Sequence, residues 1–217
     1  MFQHKNVKNL IIDLGGVVIR LKRERAVDEL ISLGIEDADT LLGLYRQEPP
    51  FLSLETGEIT AGEFYDTLRA RAGNSVSDLR WQEAFNAFLV DLPVERLEAL
   101  RAARKAGFRL FVLSNTNPVM FNSWIARAFR AEGLTINDYF DGVVTSFSEG
   151  CCKPDERIFR IVLERYALKP EETVMLDDSE ANCRAAEQTG MQSLHIGSDE
   201  APDLVRALEL ISSRSGK

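Results

Sequence analysis

The sequence has few of the residues that build zinc sites, disulfide frameworks or histidine-dependent catalytic centres. It contains two histidines and three cysteines among 217 residues. His4 lies near the start of the chain and His195 lies beside an apolar stretch, so a zinc cluster or a Ser-His-Asp triad would lack ligands or bases. Cys151, Cys152 and Cys183 cannot form a paired framework and lack C-x-x-C spacing. We therefore expect them to be small apolar packing residues.

Basic blocks and long apolar runs are missing as well. The chain has 26 Lys and Arg residues against 34 Asp and Glu residues, a formal net charge of −8. Without a basic stretch that could follow a phosphate backbone, nucleic acid is not an expected partner. Residues 1–8 do not resemble the start of a signal peptide, and no apolar run approaches the length of a membrane span. We therefore expect a cytoplasmic protein with no membrane partner.

Apolar residues, at 45% of the chain, are numerous enough for a large core, and their spacing divides the sequence into two patterns. Between residues 22 and 89 they recur at steps of three and four, which predicts four or five short helices and no strand. Thr60 and Glu63 have the spacing of a capping box at the start of one helix. From residue 93 onward, strand patterns alternate with helix patterns. The sequence thus predicts an α/β fold with a parallel sheet and a helical insertion after the first strand.

A buried strand is predicted just before Asp13. The apolar, partly β-branched residues 9–12 end at this carboxylate, and Gly15 and Gly16 follow it closely. An aspartate at a strand tip, followed by a turn whose N–H groups can point inward, suits a nucleophile that attacks a phosphoryl group. An ordinary turn aspartate that accepts a hydrogen bond from its own backbone fits this stretch equally well.

Polar residues also follow the later predicted strands. Ser114 follows the strand at 108–113, Lys153 comes after the one at 141–145, and Asp177-Asp178 follow the one at 172–176. Because the carboxyl ends of parallel strands lie at one edge of a sheet, we expect these side chains to meet Asp13 in one crevice. A helix N-cap pair at residues 177 and 178 and a surface charge at residue 153 are the structural alternatives.

Carboxylates that meet in one site repel each other and favour a hard cation. Mg²⁺ typically takes one or two carboxylates, together with waters and phosphate oxygens. Asp13 and Asp178 fit that role, while Lys153 and the hydroxyl of Ser114 would bind the oxygens of a phosphoryl group. The sequence thus predicts an aspartyl-phosphate intermediate on Asp13, followed by its hydrolysis.

In this order and on these elements, the motifs resemble those of the haloacid dehalogenase-like hydrolase superfamily. They are residues 11–18, residues 112–116, Lys153-Pro154, and residues 175–179 with Asn182. The resemblance implies a Rossmann-like core formed by residues 1–20 and 91–217, with a helical-bundle cap formed by residues 21–90. It covers nearly the whole chain.

The resemblance also implies roles for individual residues. Asp13 would be the nucleophile and a metal ligand, Gly15 would lend a backbone carbonyl to Mg²⁺, and Asp178 would be the second protein ligand. Asp177 would support catalysis. The residues implied to contact the phosphate or the rest of the substrate are Ser114, Asn115, Lys153, Gly15, Gly16 and Asn182.

The function implied is that of a Mg²⁺-dependent phosphatase, acting as a monomer or homodimer on a small phosphorylated metabolite such as a sugar phosphate. Within the superfamily, the branch with glucose-1-phosphate phosphatases is the most similar, because it shares the motif at residues 113–117 and the turn Gly57-Glu58-Ile59. Four polar residues in or beside the cap, Arg20, Tyr45, Glu55 and Glu58, are candidates for reaching the substrate. Each is explained equally well as an exposed residue.

The sequence departs from the family at one position. Most phosphatases of the superfamily carry a second aspartate two residues after the nucleophile as general acid and base, whereas this chain has Gly15. Such assistance typically contributes ~10²–10⁴-fold, so we predict a slow or leaving-group-limited phosphatase unless Asp177, a cap residue or solvent replaces it. Two alternatives follow from the departure: a 2-haloacid dehalogenase-type hydrolase, which the pair Asp177-Asp178 argues against, and a catalytically weak phosphometabolite-binding protein, which Asp13 and Lys153 argue against.

Overall fold

A five-stranded parallel sheet forms the centre of the protein in a computed structural model that describes residues 6–43, 47–197 and 203–215. The strands of the described ranges are β1 (Asn9–Ile12), β2 (Arg20–Leu21), β3 (Leu89–Asp91), β4 (Arg109–Ser114), β5 (Gly142–Thr145), β6 (Thr173–Asp177) and β7 (Gln192–His195). The order in the large sheet is β5-β4-β1-β6-β7, and β2 pairs with β3 in a separate antiparallel ribbon. The first strand of the chain therefore lies in the middle of the sheet.

Helices occupy much of the remaining described chain. Between β2 and β3 lie α1 (Arg23–Ser32), α2 (Ala38–Leu41), α3 (Phe51–Glu55), α4 (Ala61–Ala72) and α5 (Asp78–Asn86), which we call the helical segment. The later helices are α6 (Val94–Lys105), α7 (Pro118–Met120), α8 (Ala126–Phe129), α9 (Ile136–Tyr139), α10 (Ser146–Glu149), α11 (Glu156–Arg165), α12 (Glu180–Gln188) and α13 (Leu204–Ser215). A π-helical turn, Phe121–Ile125, joins α7 to α8. None of the helices described is long and apolar enough to cross a membrane.

Strand β1 is buried on both faces. Its alternate residues belong to two different apolar clusters, with Leu10 and Ile12 in one and Ile11 in the other. In the register of the sheet, Ile12 lies beside Val112 of β4 and Leu176 of β6. Since side chains of a strand alternate between faces, this burial explains the continuous apolar run of the sequence. The register also aligns the carboxyl ends of β1, β4 and β6.

An aromatic cluster holds the helical segment together. The ring centroids of Phe51 and Phe64 lie 5.2 Å apart, and those of Phe51 and Phe85 lie 5.1 Å apart. These two pairs join α3 to α4 and to α5. Such tilted aromatic pairs typically contribute ~0.5–1.5 kcal/mol beyond the burial of their area. Helix α4 begins with the predicted capping box, in which Glu63 N donates to Thr60 Oγ1 and Thr60 N donates to Glu63 Oε2. The segment thus has an apolar centre of its own.

The predicted parallel α/β architecture is confirmed, and the structure adds elements that the sequence did not indicate. Strands β2 and β3 flank the helical segment, and Leu89, which we included in a helical pattern, begins β3. A strand of two or three residues is too short to show alternation. The helices between residues 118 and 139 were also not predicted. The α-helices there have at most four residues, and a π-helical turn interrupts the 3.6-residue period.

Candidate functional site

Asp13 lies at the tip of β1, where the sequence places it. The residue is 8% exposed, and its Oδ1 accepts a hydrogen bond of 2.7 Å from the backbone N–H of Leu14. The turn that follows is closed by backbone bonds, among them one from Gly16 N to the carbonyl of Ile19. The local hydrogen bond of a turn aspartate is therefore present, but it leaves Oδ2 available for other contacts.

Lys153 is buried against two aspartates, so the surface-charge alternative is wrong. Its Nζ lies 3.0 Å from Asp13 Oδ1 and 2.7 Å from Asp177 Oδ2, and the residue is 4% exposed. Burial acts to lower the pKa of Lys153, but the carboxylates of Asp13 and Asp177 outweigh it and raise this pKa above its ordinary value. The side chain is therefore an ammonium ion at neutral pH, fixed between β1 and β6.

Asp177 is fully buried, and both oxygens of its carboxylate accept hydrogen bonds from protein donors. Oδ2 accepts from Lys153, whereas Oδ1 accepts at 2.9 Å from both Ser179 N and Asn182 Nδ2. The N-cap of helix α12 is Ser179, whose side chain accepts a hydrogen bond from Asn182 N. The alternative that Asp177 and Asp178 serve as the N-cap pair is therefore wrong. These contacts fit Asp177 to hold Lys153 in place rather than to meet a substrate.

Asp178, the next residue, is exposed at the rim of the same site, and a glycine makes room for it. Gly16 has φ +74°, and a Cβ built on it would lie 1.9 Å from Asp178 Oδ2. Backbone of that conformation favours glycine, and here the missing side chain also lets the carboxylate approach the β1 turn. On the other side, His195 Nε2 lies 2.8 Å from the backbone carbonyl of Asp178.

Three carboxylates thus lie close together, and two of them, Asp13 and Asp177, contact the ammonium group of Lys153. Oxygen atoms of Asp13, Asp177 and Asp178 lie within 4.8 Å of one another. Burial, together with Asp177 and Asp178, raises the pKa of Asp13 to about 7 although Lys153 opposes this, and burial and Asp177 raise the pKa of Asp178. An excess of negative charge on hard oxygen ligands is what a Mg²⁺ ion fits. The carbonyl of Gly15 accepts no hydrogen bond within the described ranges, so it too is available as a ligand.

The tip of β4 contributes a second group of polar residues. Ser114 is 2% exposed, and the side chain of Asn115 is bonded to the backbone of Lys153 in both directions, at 2.9 Å and 2.8 Å. Thr116 is held in a similar way by the Ser146 hydroxyl, which bonds to both its N–H and its carbonyl. These reciprocal bonds fix the position of the β4 tip relative to the lysine loop.

A cavity of about 250 Å³ opens between these strand tips and the helical segment. Its polar end includes Asp13, Ser114 and Asp178, and it is also lined by Gln47 and by apolar residues of the helical segment. The one further acidic residue among its described lining residues is Glu55, at the end of α3. Burial raises the pKa of Glu55 to about 7, although the hydrogen bond from Cys152 and the charge of Lys153 both act to lower it.

The structure brings most of the predicted site residues together and separates a few. Asn182 contacts Asp177 and does not line the cavity, and Gly16 acts through the space it leaves for Asp178. Of the cap candidates, Arg20 pairs with Asp91 and Glu95 outside the cavity, Glu58 is exposed, and Tyr45 lies outside the described residues. Gln47, which lines the cavity, and Cys152, which contacts Glu55, were missed, because nothing in their sequence positions indicates these contacts.

Comparison with known proteins now identifies the family. A family model described as haloacid dehalogenase-like hydrolase matches residues 7–190. The chain belongs to this hydrolase family. The predicted superfamily is thereby confirmed, whereas the glucose-1-phosphate phosphatase branch stays a prediction.

Similar proteins include a curated enzyme and two solved structures. A D-ribitol-5-phosphate phosphatase from Bacteroides thetaiotaomicron is 32% identical over 187 residues, which cover 86% of this chain and 90% of that enzyme. A HAD family enzyme from the same organism, crystallised with magnesium and inorganic phosphate, is 36% identical with a TM-score of 0.83 and coverage of 89% and 96%. A HAD-like family hydrolase from Porphyromonas gingivalis is 31% identical, with a TM-score of 0.83 and coverage of 95% and 98%.

Proposed function

We propose that this hydrolase is a Mg²⁺-dependent phosphatase that cleaves small phosphorylated polyols or sugars through an aspartyl-phosphate on Asp13. The observation that carries this proposal is the position of Asp13 on the cavity floor, 3.0 Å from the buried ammonium of Lys153 and beside two further carboxylates. A carboxylate nucleophile needs a neighbouring cation to approach an anionic phosphoryl group. Lys153 provides one such cation, and the neighbouring carboxylates can bind Mg²⁺ as a second.

The chain's own residues divide the work between attack, phosphate binding and support. Oδ2 of Asp13 would attack phosphorus, while Oδ1 stays bonded to Leu14 N and near Lys153. Lys153 and the Ser114 hydroxyl would bind the oxygens of the phosphoryl group, where charge redistributes during transfer. Asp177, Asn182 and Asn115 would position these groups, since their side chains are bonded to the lysine or to each other.

Asp13, Asp178 and the carbonyl of Gly15 are the residues that we propose to hold Mg²⁺. When bound, the ion supplies positive charge that offsets the repulsion between the Asp13 carboxylate and an anionic substrate. Asp177 is left out of this set because both of its oxygens already accept hydrogen bonds from protein donors.

The proposed substrate class rests on the cavity and on the similar enzyme. A cavity of about 250 Å³ suits a small metabolite, and the related phosphatase is named for D-ribitol 5-phosphate. Gln47 lines the cavity with its Oε1 buried and unpaired among the described residues, so it can accept a hydrogen bond from a substrate hydroxyl. Glucose 1-phosphate, the substrate suggested by the branch that the sequence resembles, is the main competitor within the class.

A substrate screen with Mg²⁺ tests the proposal. We expect phosphate release from D-ribitol 5-phosphate and related polyol or sugar phosphates, its loss on chelation, and its loss in Asp13→Asn. Asp28→Asn is the matched control, because Asp28 is an exposed residue of α1 that does not line the cavity, and this variant should act at the wild-type rate. Unchanged phosphate release by Asp13→Asn would contradict the proposal.

A further inference from the structure

The proposed reaction needs a proton at the leaving oxygen, and the β1 turn does not provide it. An alkoxide leaving from a sugar or polyol phosphate is a strong base, so it departs more easily when a nearby acid protonates it. Gly15 has no side chain, and a Cβ placed there would already lie 3.0 Å from Leu21 Cδ1. The place where a carboxyl group at position 15 would extend is therefore partly taken by Leu21.

The titratable side chains that line the described part of the cavity are Asp13, Asp178 and Glu55. The first two are the proposed nucleophile and metal ligand. Glu55 comes from α3 of the helical segment, whereas the phosphate-binding residues come from the strand tips of the sheet. A substrate whose phosphate lies at the strand tips extends its leaving group towards the helical segment, which is the side of the cavity that carries Glu55.

The carboxyl group of Glu55 is held by one contact. Cys152 Sγ lies 3.6 Å from Glu55 Oε1 as a donor, and Oε2 has no hydrogen bond among the residues that the structure describes. The titratable groups that act on Glu55 are the thiol of Cys152 and the ammonium of Lys153. Burial raises the pKa of this thiol to about 12, so it remains a neutral donor and does not compete for the proton. Oε2 is thus available for proton transfer.

We propose that Glu55 is the general acid and base of this phosphatase, in place of the aspartate that Gly15 replaces. The proposal rests on the function proposed above. In the first half-reaction Asp13 attacks phosphorus, the bond from phosphorus to the leaving oxygen breaks, and the Glu55 carboxyl gives its proton to that oxygen. In the second half-reaction the Glu55 carboxylate takes a proton from water, the water oxygen attacks phosphorus, and the bond to Asp13 breaks. Phosphate and the acid form of Glu55 are regenerated.

The pKa of Glu55 suits both halves of this cycle. A group that titrates at about 7 has both its acid and its base form available near neutral pH. The attack on substrate requires the acid form of Glu55 and the ionised form of Asp13, which a bound Mg²⁺ would maintain. At saturating Mg²⁺ we therefore expect kcat/KM for an alkyl phosphate to fall as pH rises through about 7. Glu55→Gln has no titratable group at this position, so its kcat/KM should not show this decrease.

Two substrates with different leaving groups test the proposal. D-Ribitol 5-phosphate needs a protonated leaving oxygen, whereas p-nitrophenyl phosphate releases a stable phenolate. In Glu55→Gln we expect kcat for the first to fall roughly 10²–10⁴-fold with little change in KM. With the second we expect a rapid burst of about one nitrophenolate per enzyme, followed by slow turnover, because the phosphoenzyme forms but water is no longer activated.

Two comparison variants make the outcome decisive. Glu48→Gln, an exposed glutamate of the helical segment, should match the wild type. Glu55→Asp keeps an acid and should retain more alkyl phosphate activity than Glu55→Gln; equal rates in the two would show a packing role and overturn the proposal. Wild-type rates for Glu55→Gln on both substrates, or a change in KM alone, would overturn it as well.

Asp13→Asn separates this inference from the function on which it rests. That variant should show neither burst nor turnover with p-nitrophenyl phosphate. If it is inactive while Glu55→Gln is fully active, the phosphatase assignment stands and only the role of Glu55 fails. If Asp13→Asn still releases phosphate, the proposed function fails first.

Discussion

Gly16 shows how a residue without a side chain shapes the site. Its φ of +74° and the 1.9 Å distance from a built Cβ to Asp178 Oδ2 leave no position for even a methyl group. We predict that Gly16→Ala displaces the Asp178 carboxylate and weakens Mg²⁺ binding by roughly 10–100-fold, the usual effect of disturbing a metal ligand's support. Titration of the protein with MgCl₂ by calorimetry measures this directly.

Gly133→Ala is the matched control for this prediction. Gly133 has φ +76°, so alanine there meets similar backbone strain, but nothing lies within 4 Å of its built Cβ. Both variants should lose some stability, and only the first should lose affinity for the ion. Equal Mg²⁺ affinity in the two would show that Asp178 is not a ligand.

The site residues that the sequence predicts most directly are polar residues at the carboxyl ends of strands. Asp13, Ser114 and Asp177 follow apolar runs, and the parallel sheet brings the ends of such runs together. The same reasoning predicted that Lys153 meets Asp13. The bond from Lys153 to Asp177 and the hydrogen bonds of Asn182 could not be predicted, because they depend on which side chain of a distant loop meets which carboxylate. Glu55 was one of four candidates for reaching the substrate, and only the structure shows that it lines the cavity.

At the scale of elements, the turn that follows α3 brings the helical segment against helix α10. Gly57 has φ +71°, and a Cβ on it would lie 2.2 Å from the backbone carbonyl of Phe147 in α10. The turn therefore approaches α10 backbone to backbone, and Glu55 lies two residues before it. The sequence indicated a turn at Gly57 but not its contact with α10, since residues 57 and 147 are far apart in the chain.

We predict that Gly57→Ala pushes α3 away from α10 and moves Glu55 from its position. The value of kcat/KM for D-ribitol 5-phosphate should fall roughly 10–100-fold, because a displacement of about 1 Å in a catalytic group has effects of this size. Gly73→Ala, at a position with φ +62° and no atom within 4 Å of its built Cβ, should change kcat/KM little. Equal losses in both variants would mean that the contact with α10 does not position the site.

At the scale of the whole molecule, the buried carboxyl of Glu55 makes stability depend on pH. Its pKa in the folded protein is about 7, above the ordinary glutamate value of 4.5. A raised folded-state pKa means that the native protein keeps a proton that the unfolded chain has released, so stability is lost as pH rises from about 4.5 to about 7. Above that window the loss is complete and constant.

Glu55→Gln should not show this loss. We predict that the free energy of unfolding of the variant, relative to wild type, increases by up to roughly 3 kcal/mol between pH 4 and pH 8. Chemical denaturation at a series of pH values measures the difference. A constant difference across this range would show that Glu55 has an ordinary pKa, and it would remove one support for the acid-base role.

The overall architecture was the most predictable feature, because it depends on patterns repeated along the chain. Buried strands such as β4 and β6 are each preceded by an amphipathic helix, and this repeated alternation predicts a parallel sheet. The ribbon of β2 and β3 was not predictable, since its strands have only two and three residues and lie on opposite sides of the helical segment in the sequence. The boundary between core and cap at residues 20–21 and 90–91 stays a prediction.

The central claim, that Asp13 receives the phosphoryl group, is tested most directly by trapping the phosphoenzyme. The wild-type protein is mixed with p-nitrophenyl phosphate and MgCl₂, quenched with acid in the first turnover, and its peptides are analysed by mass spectrometry. The account predicts one phosphoryl group on the peptide that contains Asp13, placed on that side chain by fragmentation and absent from Asp13→Asn. A phosphoryl group on another residue, or none while nitrophenolate is released, would contradict it.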